Sequence, residues 1–543
     1  MSVWKRVGFF VLPVMSLALA AWGQEHEHKH GAPAEKLGRV HFHVSCHEAA
    51  QKEFLRAVAM LHSFWYEEAE KTFAAVTRAD PTCAMGYWGI AMSLYHPLWE
   101  PPDAATLQKG WAAIEKAKAA NPKTARERDY IAAIEAYYKD YGKRDPRTRT
   151  LSFEKGIEQV YLRNPDDREA AVFYALSLLS TALPTDKIYA NQKKAAAILD
   201  KVFAVEPEHP GVTHYYIHAY DSPALAPLAL RAARQYAKIA PSVPHALHMP
   251  SHIFTRLGLW QESIQSNSAA VAAAADYAVK ANLGGAWDQQ LHAMDYLAYA
   301  YLQGAQDVEA KRVLDEMRTF RKVVLEGRTA AYVLAGIPAR YALERRRWSE
   351  AAALELSPPW FPWSRYPATE AITVLARALG GARSGRAGDA QKDLERLEAL
   401  CQATPEGYWE DGVEVLRREV AAWTALANGK SEQALQLMRS AVELEETAER
   451  NPVTRGSILP AREQMGDMLL ELRRPADALR EYEASLRDQP NRFNSLYGAA
   501  RAAELSGEHD KAHAYYTKLV EISKLASGDR PELRQALTLL ASK

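Results

Sequence analysis

The chain has 543 residues, enough for several domains or one long repeat array. Lys and Arg total 67 and Asp and Glu also 67, a balance that gives no general electrostatic case for nucleic acid or an anionic membrane surface as partner. Helix-forming stretches rich in alanine are long and period-two runs of Val, Ile and Thr are scarce, so the chain reads as all-α.

The N-terminus reads as an export signal over residues 1–23. Lys5 and Arg6 precede an apolar run from Val7 to Ala21, interrupted by Pro13 and Ser16. Small residues follow at cleavage-compatible spacing, as Ala18-Leu19-Ala20 or Ala21-Trp22-Gly23. The run is short for a membrane span, and no later run is long enough to cross a bilayer. The mature protein is therefore expected in the periplasm or outside the cell, without a membrane span; an uncleaved signal anchor is the alternative. Residues 24–44 include His26, His28 and His30, followed by Gly31, Ala32 and Pro33. A segment with so little to bury is expected to be mobile. Ser45 with Glu48 has the form of a capping box, which predicts a helix start near Cys46. Cys46 would then open the first helix and Cys83 the third. An oxidising compartment lets them pair, and spacing alone leaves that pairing open. Cys401 is left over and reads as a buried thiol rather than a reactive one.

Farther along, Ala69, Phe73, Val76 and Pro81 stand at the spacings of a second helix and its closing proline, and Tyr87, Trp88 and Gly89 open the next pair. Gly258, Trp260, Ser263 and Asn267 mark another pair, Gly304 and Ala310 the one after, and Gly429, Ala434 and Ala441 one more. Gly466, Ala478, Tyr482, Ser485 and Pro490 follow the pattern over a whole unit, and Ala512 and Tyr516 repeat it 34 residues after Ala478 and Tyr482. The chain thus resembles a tetratricopeptide repeat protein, most clearly over 65–99, 243–315 and 430–526; residues 105–205 look helical but diverge. The resemblance implies a right-handed α-solenoid of antiparallel helix pairs, each stable only when stacked on its neighbours. It implies little about function. The stretches HSFWYEEAEKTFAAVTRADPTCAMGYWGIAMS and HALHMPSHIF are similar to a group of uncharacterised secreted bacterial tetratricopeptide proteins, a likeness that carries no activity with it. Residues 357–367, SPPWFPWSRYP, hold four prolines and exclude a continuous helix. They are expected to join an N-terminal array, 45–356, to a C-terminal one, 368–543, with Trp360, Phe361 and Trp363 packing the joint.

Of the 17 histidines, six fall between residues 214 and 292 and none between 293 and 508. His214 and His218 are four apart; a step of 34 residues leads from them to His248 and His252. Residues four apart share a helix face. Counted from Gly258, His245, His248 and His252 take the second, fifth and ninth positions of a first helix, and the resemblance implies that these positions face the concave groove in which such proteins bind peptides. Two readings follow. In the preferred one, His245, Tyr216, Tyr220 and His292 line a groove for a peptide or protein segment, with no metal. In the alternative, His214, His218, His248 and His252 supply four nitrogen ligands to a transition metal, zinc or copper, with Asp221 and Asp295 as further ligands or as carboxylates orienting the rings. Pro250 weakens the second His pair, and His292 lies 40 residues past His252, off the period. A second group, His41, His43, His47, His62 and His96, repeats no ligand spacing; His62 reads as a hydrogen-bonded core residue, and His96 sits at a helix end that favours a cation. There is no Gly-rich phosphate loop, no G-x-S-x-G and no H-E-x-x-H, so the chain does not read as an enzyme, metal-dependent activity being the exception left open.

Overall fold

A computed structural model describes residues 35–99, 101–405, 407–448 and 456–541, with one compact unit beginning at Lys36. The signal segment and His26, His28 and His30 lie outside the described residues. Among the described residues the chain forms 26 α-helices, and extended pairing is confined to two isolated bridges. Consecutive helices pair and the pairs stack, giving an α-solenoid of tetratricopeptide type. No helix of the described residues is long and apolar enough to cross a membrane.

The small residues of the repeat act by letting rings approach backbone. A Cβ on Gly89 would lie 2.3 Å from the Phe73 ring, and a Cβ on Gly498 would lie 2.2 Å from the Tyr482 ring. Gly258 is needed twice over. It takes φ +64° to end the helix Pro250–Arg256, closed by Leu259 N donating to Phe254 O at 2.8 Å, and a Cβ there would meet the Pro490 carbonyl at 2.2 Å.

Residues 36–44 correct the expectation of a mobile segment reaching residue 44. They run extended, burying Leu37, Val40, Phe42 and Val44 while Arg39, His41 and His43 face out. This strap is stitched to distant loops: Arg39 N donates to Glu208 O at 3.0 Å, and Lys36 N donates to Ser242 Oγ at 2.8 Å. A period-two apolar pattern too short to stand out from its His-rich surroundings is the reason it was missed. The predicted capping box does not form either. The first helix starts at Glu48 with no side-chain cap, because Cys46 is bonded to Cys83, at a Cα separation of 4.8 Å, and the residues around it are used elsewhere. Ser45 N donates to Glu127 and His47 N to Asp80. Cys401 is partly buried, and desolvation with the nearby Glu414 and Glu410 raises its thiol.

The apolar core divides earlier than residues 357–367. One cluster runs from Leu37 to Trp287 and the other from Trp260 to Ala536. The proline-rich segment packs Phe361 and Trp363 into the second cluster and leaves Trp360 39% exposed, so it is an internal turn of that cluster. The C-terminal helices return to the middle of the chain. Trp260 Nε1 donates to Asn491 O at 2.8 Å, Asp307 N to Ser527 O at 3.0 Å, and Arg530 grips the Asp307 carboxylate at 2.6 and 2.7 Å. Arg492, fully buried, bridges Glu344 and Glu463 at 2.9 and 2.8 Å.

Candidate metal centre

The six clustered histidines come from the first helices of three successive hairpins. Helix Pro210–Tyr220 carries His214 and His218; Pro244–His248 and Pro250–Arg256 carry His245, His248 and His252; Asp288–Gln303 carries His292. Proline opens the first three of these segments, where a missing N–H costs nothing and φ is already helical. Pro250 therefore interrupts the ladder without turning the chain. Met249 keeps helical angles, φ −53° and ψ −36°, and His248 and His252 stay on one face. The offset of His292 also has a plain origin. The intervening helix Trp260–Lys280 has 21 residues against 14 in Ala226–Ile239, and this extra length delivers His292 to the same layer.

The rings converge as two trios. In the first, His214 Nε2 lies 3.1 Å from His218 Nε2 and 3.2 Å from His245 Nε2. In the second, His248 Nε2 and His252 Nε2 are 3.0 Å apart, and the His292 ring centre lies 4.5 Å from that of His248. Candidate ligand atoms within each trio all lie within 4.8 Å of one another. Nitrogens bound tetrahedrally to zinc at 2.0–2.1 Å would be about 3.3 Å apart. Aromatic walls hold the rings. Phe64 stacks on His218 and His245 and meets His214 edge-on, Tyr236 stacks on His214, and Tyr296 stacks on His252. His214 is 0%, His245 4%, His248 3% and His252 3% exposed, so these are not the walls of an open groove.

The partners of the outer nitrogens fix which inner nitrogens carry lone pairs. His214 Nδ1 lies 2.7 Å from the His62 carbonyl, an acceptor only, and therefore donates. His252 Nδ1 donates to Asp221 Oδ2 at 2.8 Å, while Arg256 holds the other oxygen of that carboxylate at 2.8 Å. His248 Nδ1 donates to Asn267 Oδ1 at 2.7 Å, and the amide is oriented by Asn267 Nδ2 donating to Ser263 O at 2.8 Å. In the neutral rings, His248 and His252 thus point two lone pairs at each other. A proton between them is opposed, because burial and the neighbouring imidazoles His292 and His252 push His248 well below its ordinary range. Burial does the same to His214 and His245, and lowers His218 to about 3. Neutral imidazole nitrogens are the form that ligates a metal cation.

The other expected site residues are placed differently from one another. Tyr216 is buried and donates to Asp200, and its ring faces Phe203 and Tyr220, away from the trios. Asp295 is buried on the helix that carries His292, three residues on, and its charge acts on Arg340. Asp221 orients a ring as expected; Asn267, which the sequence marks only as a repeat position, orients another. His62 is a core residue, bonded to Glu169 at 2.8 Å and to Tyr215 at 3.0 Å, and Glu169 also binds His209 at 3.1 Å. His96 does not act as a helix-end cation. It stacks on Tyr66, and burial lowers it to about 4. His41, His43 and His47 are exposed and join no cluster of ligands among the described residues; His41 and His47 pair with Glu206 and Asp80.

No protein-family model matches the chain, and no curated protein matches it. Solved structures similar to it are distant. The human IFIT1 dimer with m7Gppp-AAAA is 12% identical over 81% of this chain and 90% of that one, with a TM-score of 0.39. Yeast Tom70 is 12% identical over 91% of this chain and 95% of that one, at 0.33. Naa15/Naa10 bound to HypK-THB is 10% identical over 91% of each chain, at 0.23. Likeness at this level says nothing of what this chain binds.

Proposed function

We propose that the protein binds a transition metal, zinc or copper, at the six-histidine centre. The facing lone pairs of His248 and His252, 3.0 Å apart with both outer nitrogens already committed, carry this reading. An all-imidazole donor set suits those ions. The test is metal analysis of protein purified without a histidine tag. Uptake of zinc or copper at micromolar concentration is expected, and it should fall when His214 and His218, or His248 and His252, are replaced by Ala, with circular dichroism unchanged. Protein that takes up neither ion ends the reading. Export to an oxidising compartment belongs to the same proposal. The signal-like N-terminus motivates it, and the Cys46–Cys83 disulfide, a bond such compartments favour, supports it.

A partner-binding role is a second reading, moved away from the histidines. A cavity of about 210 Å³ is lined by Tyr332, Ile372, Tyr408 and Trp409, with Arg462 and Glu445 as polar groups. A protein or peptide segment with an apolar anchor fits such a lining. Trp409→Ala should abolish capture of such a partner and leave metal content intact; unchanged capture would refute this placement.

A further inference from the structure

The two trios are neighbours, and their arrangement says more than that metal binds. The helix run Pro244–Arg256 serves both: His245 closes the first trio, and His248 and His252 form most of the second. Across the divide the His245 and His248 ring centres are 6.1 Å apart, and those of His218 and His252 are 6.4 Å apart. A ring centre lies about 3 Å from an ion that its nitrogen ligates at 2.0–2.1 Å. With neighbouring rings of the two trios about 6 Å apart, ions held one in each trio would be close neighbours, as in two-metal sites, where the ions are roughly 3.5–4 Å apart. Three protein ligands to an ion leave a coordination position open.

Charge adds a second argument. Imidazole ligates a metal as the neutral ring, and the carboxylate behind the His252 ring, Asp221, is shared with Arg256. Two divalent ions in this hollow would bring four positive charges, more than the buried carboxylates Asp221 and Asp295 offset, since these also face Arg256 and Arg340; the excess is costly in a buried setting unless an anion accompanies it.

We infer that the two histidine trios are halves of one dinuclear centre, one ion per trio, whose open positions share a single small anion such as hydroxide. This rests on the metal-binding reading above. The probe is copper(II) added to metal-free full-length protein, followed by removal of excess. The expected result is two copper ions per chain and an electron paramagnetic resonance spin count far below the copper count, because a bridged pair couples magnetically. Azide should then bind once per chain, replacing the bridge and adding a charge-transfer band. His245→Ala should hold one copper with a full one-spin signal. Two coppers with two independent spins, or a single copper in the unmodified protein, overturns the dinuclear inference while leaving metal binding standing. No copper uptake at all overturns the dinuclear inference, and the metal-binding reading falls with it only when zinc is not taken up either. The wild-type spin count decides the matter even if the variant fails to fold.

Discussion

Two buried histidine groups sit side by side in this molecule, and they are built on opposite plans. In one, Glu169 stands between His62 and His209, with a carboxylate oxygen for each ring at 2.8 and 3.1 Å. Tyr215 OH donates to the remaining His62 nitrogen, and Val212 N to that of His209. Every ring nitrogen has its partner. In the other, His214, His248 and His252 spend their outer nitrogens on a carbonyl, an amide and a carboxylate, and turn the inner ones toward other imidazoles. His62 belongs to both, through its ring on one side and its carbonyl on the other. The difference separates histidine as structure from histidine as the proposed ligand: what matters is what the second nitrogen faces, since burial is nearly the same in the two groups.

That contrast can be broken by mutation. Glu169→Ala should have the largest effect on stability, about 3–5 kcal/mol, because it strands two buried imidazoles; denaturant melts measure it, and metal stoichiometry should not change. Adding metal should do the converse, stabilising by about 4 kcal/mol when free metal is a thousandfold above its dissociation constant. A chelator should reverse this in thermal melts of wild type, and the gain should shrink when His248 and His252 are Ala and vanish when His214 and His218 are Ala as well. Asp221→Asn should weaken metal binding about 10–100-fold, the usual cost of losing a carboxylate behind a ligating ring; competition with a chromophoric chelator reads it. His96 sharpens the comparison as a histidine outside both groups. Its folded value of about 4 lies below the ordinary 6.5, so the unfolded chain takes up the proton first. Its contribution is present at neutral pH and is lost as pH falls from 6.5 toward 4, at up to about 1.4 kcal/mol per pH unit. His96→Asn should flatten that part of the stability–pH curve, and an unchanged slope would count against it.

Much of this was legible in the sequence. Gly258, Trp260 and Tyr482 announce the repeat because a close-packed hairpin needs a gap and a ring at fixed spacings, and the 34-residue step announces the stacked pairs. The reading failed where contacts cross between repeats. His245 and His292 looked like groove residues, because nothing in local spacing says that a ring turns toward the preceding or the following helix. His292 also hid behind the extra length of Trp260–Lys280, and Glu169 and His209 carried no pattern. The strap at 36–44 escaped because its apolar residues find their partners in loops far along the chain.

The hold of Arg530 on Asp307 spans 223 positions, and that of Arg492 on Glu344 spans 148. An open stack of hairpins can begin folding anywhere and spread between adjacent units. This one must close long loops before its middle is finished, and such topology slows folding. A nascent or truncated chain ending before Arg492 would leave Glu344 and Asp307 without those guanidinium partners. The hairpin that follows the histidine layer therefore becomes fully native only once the last helices have been made.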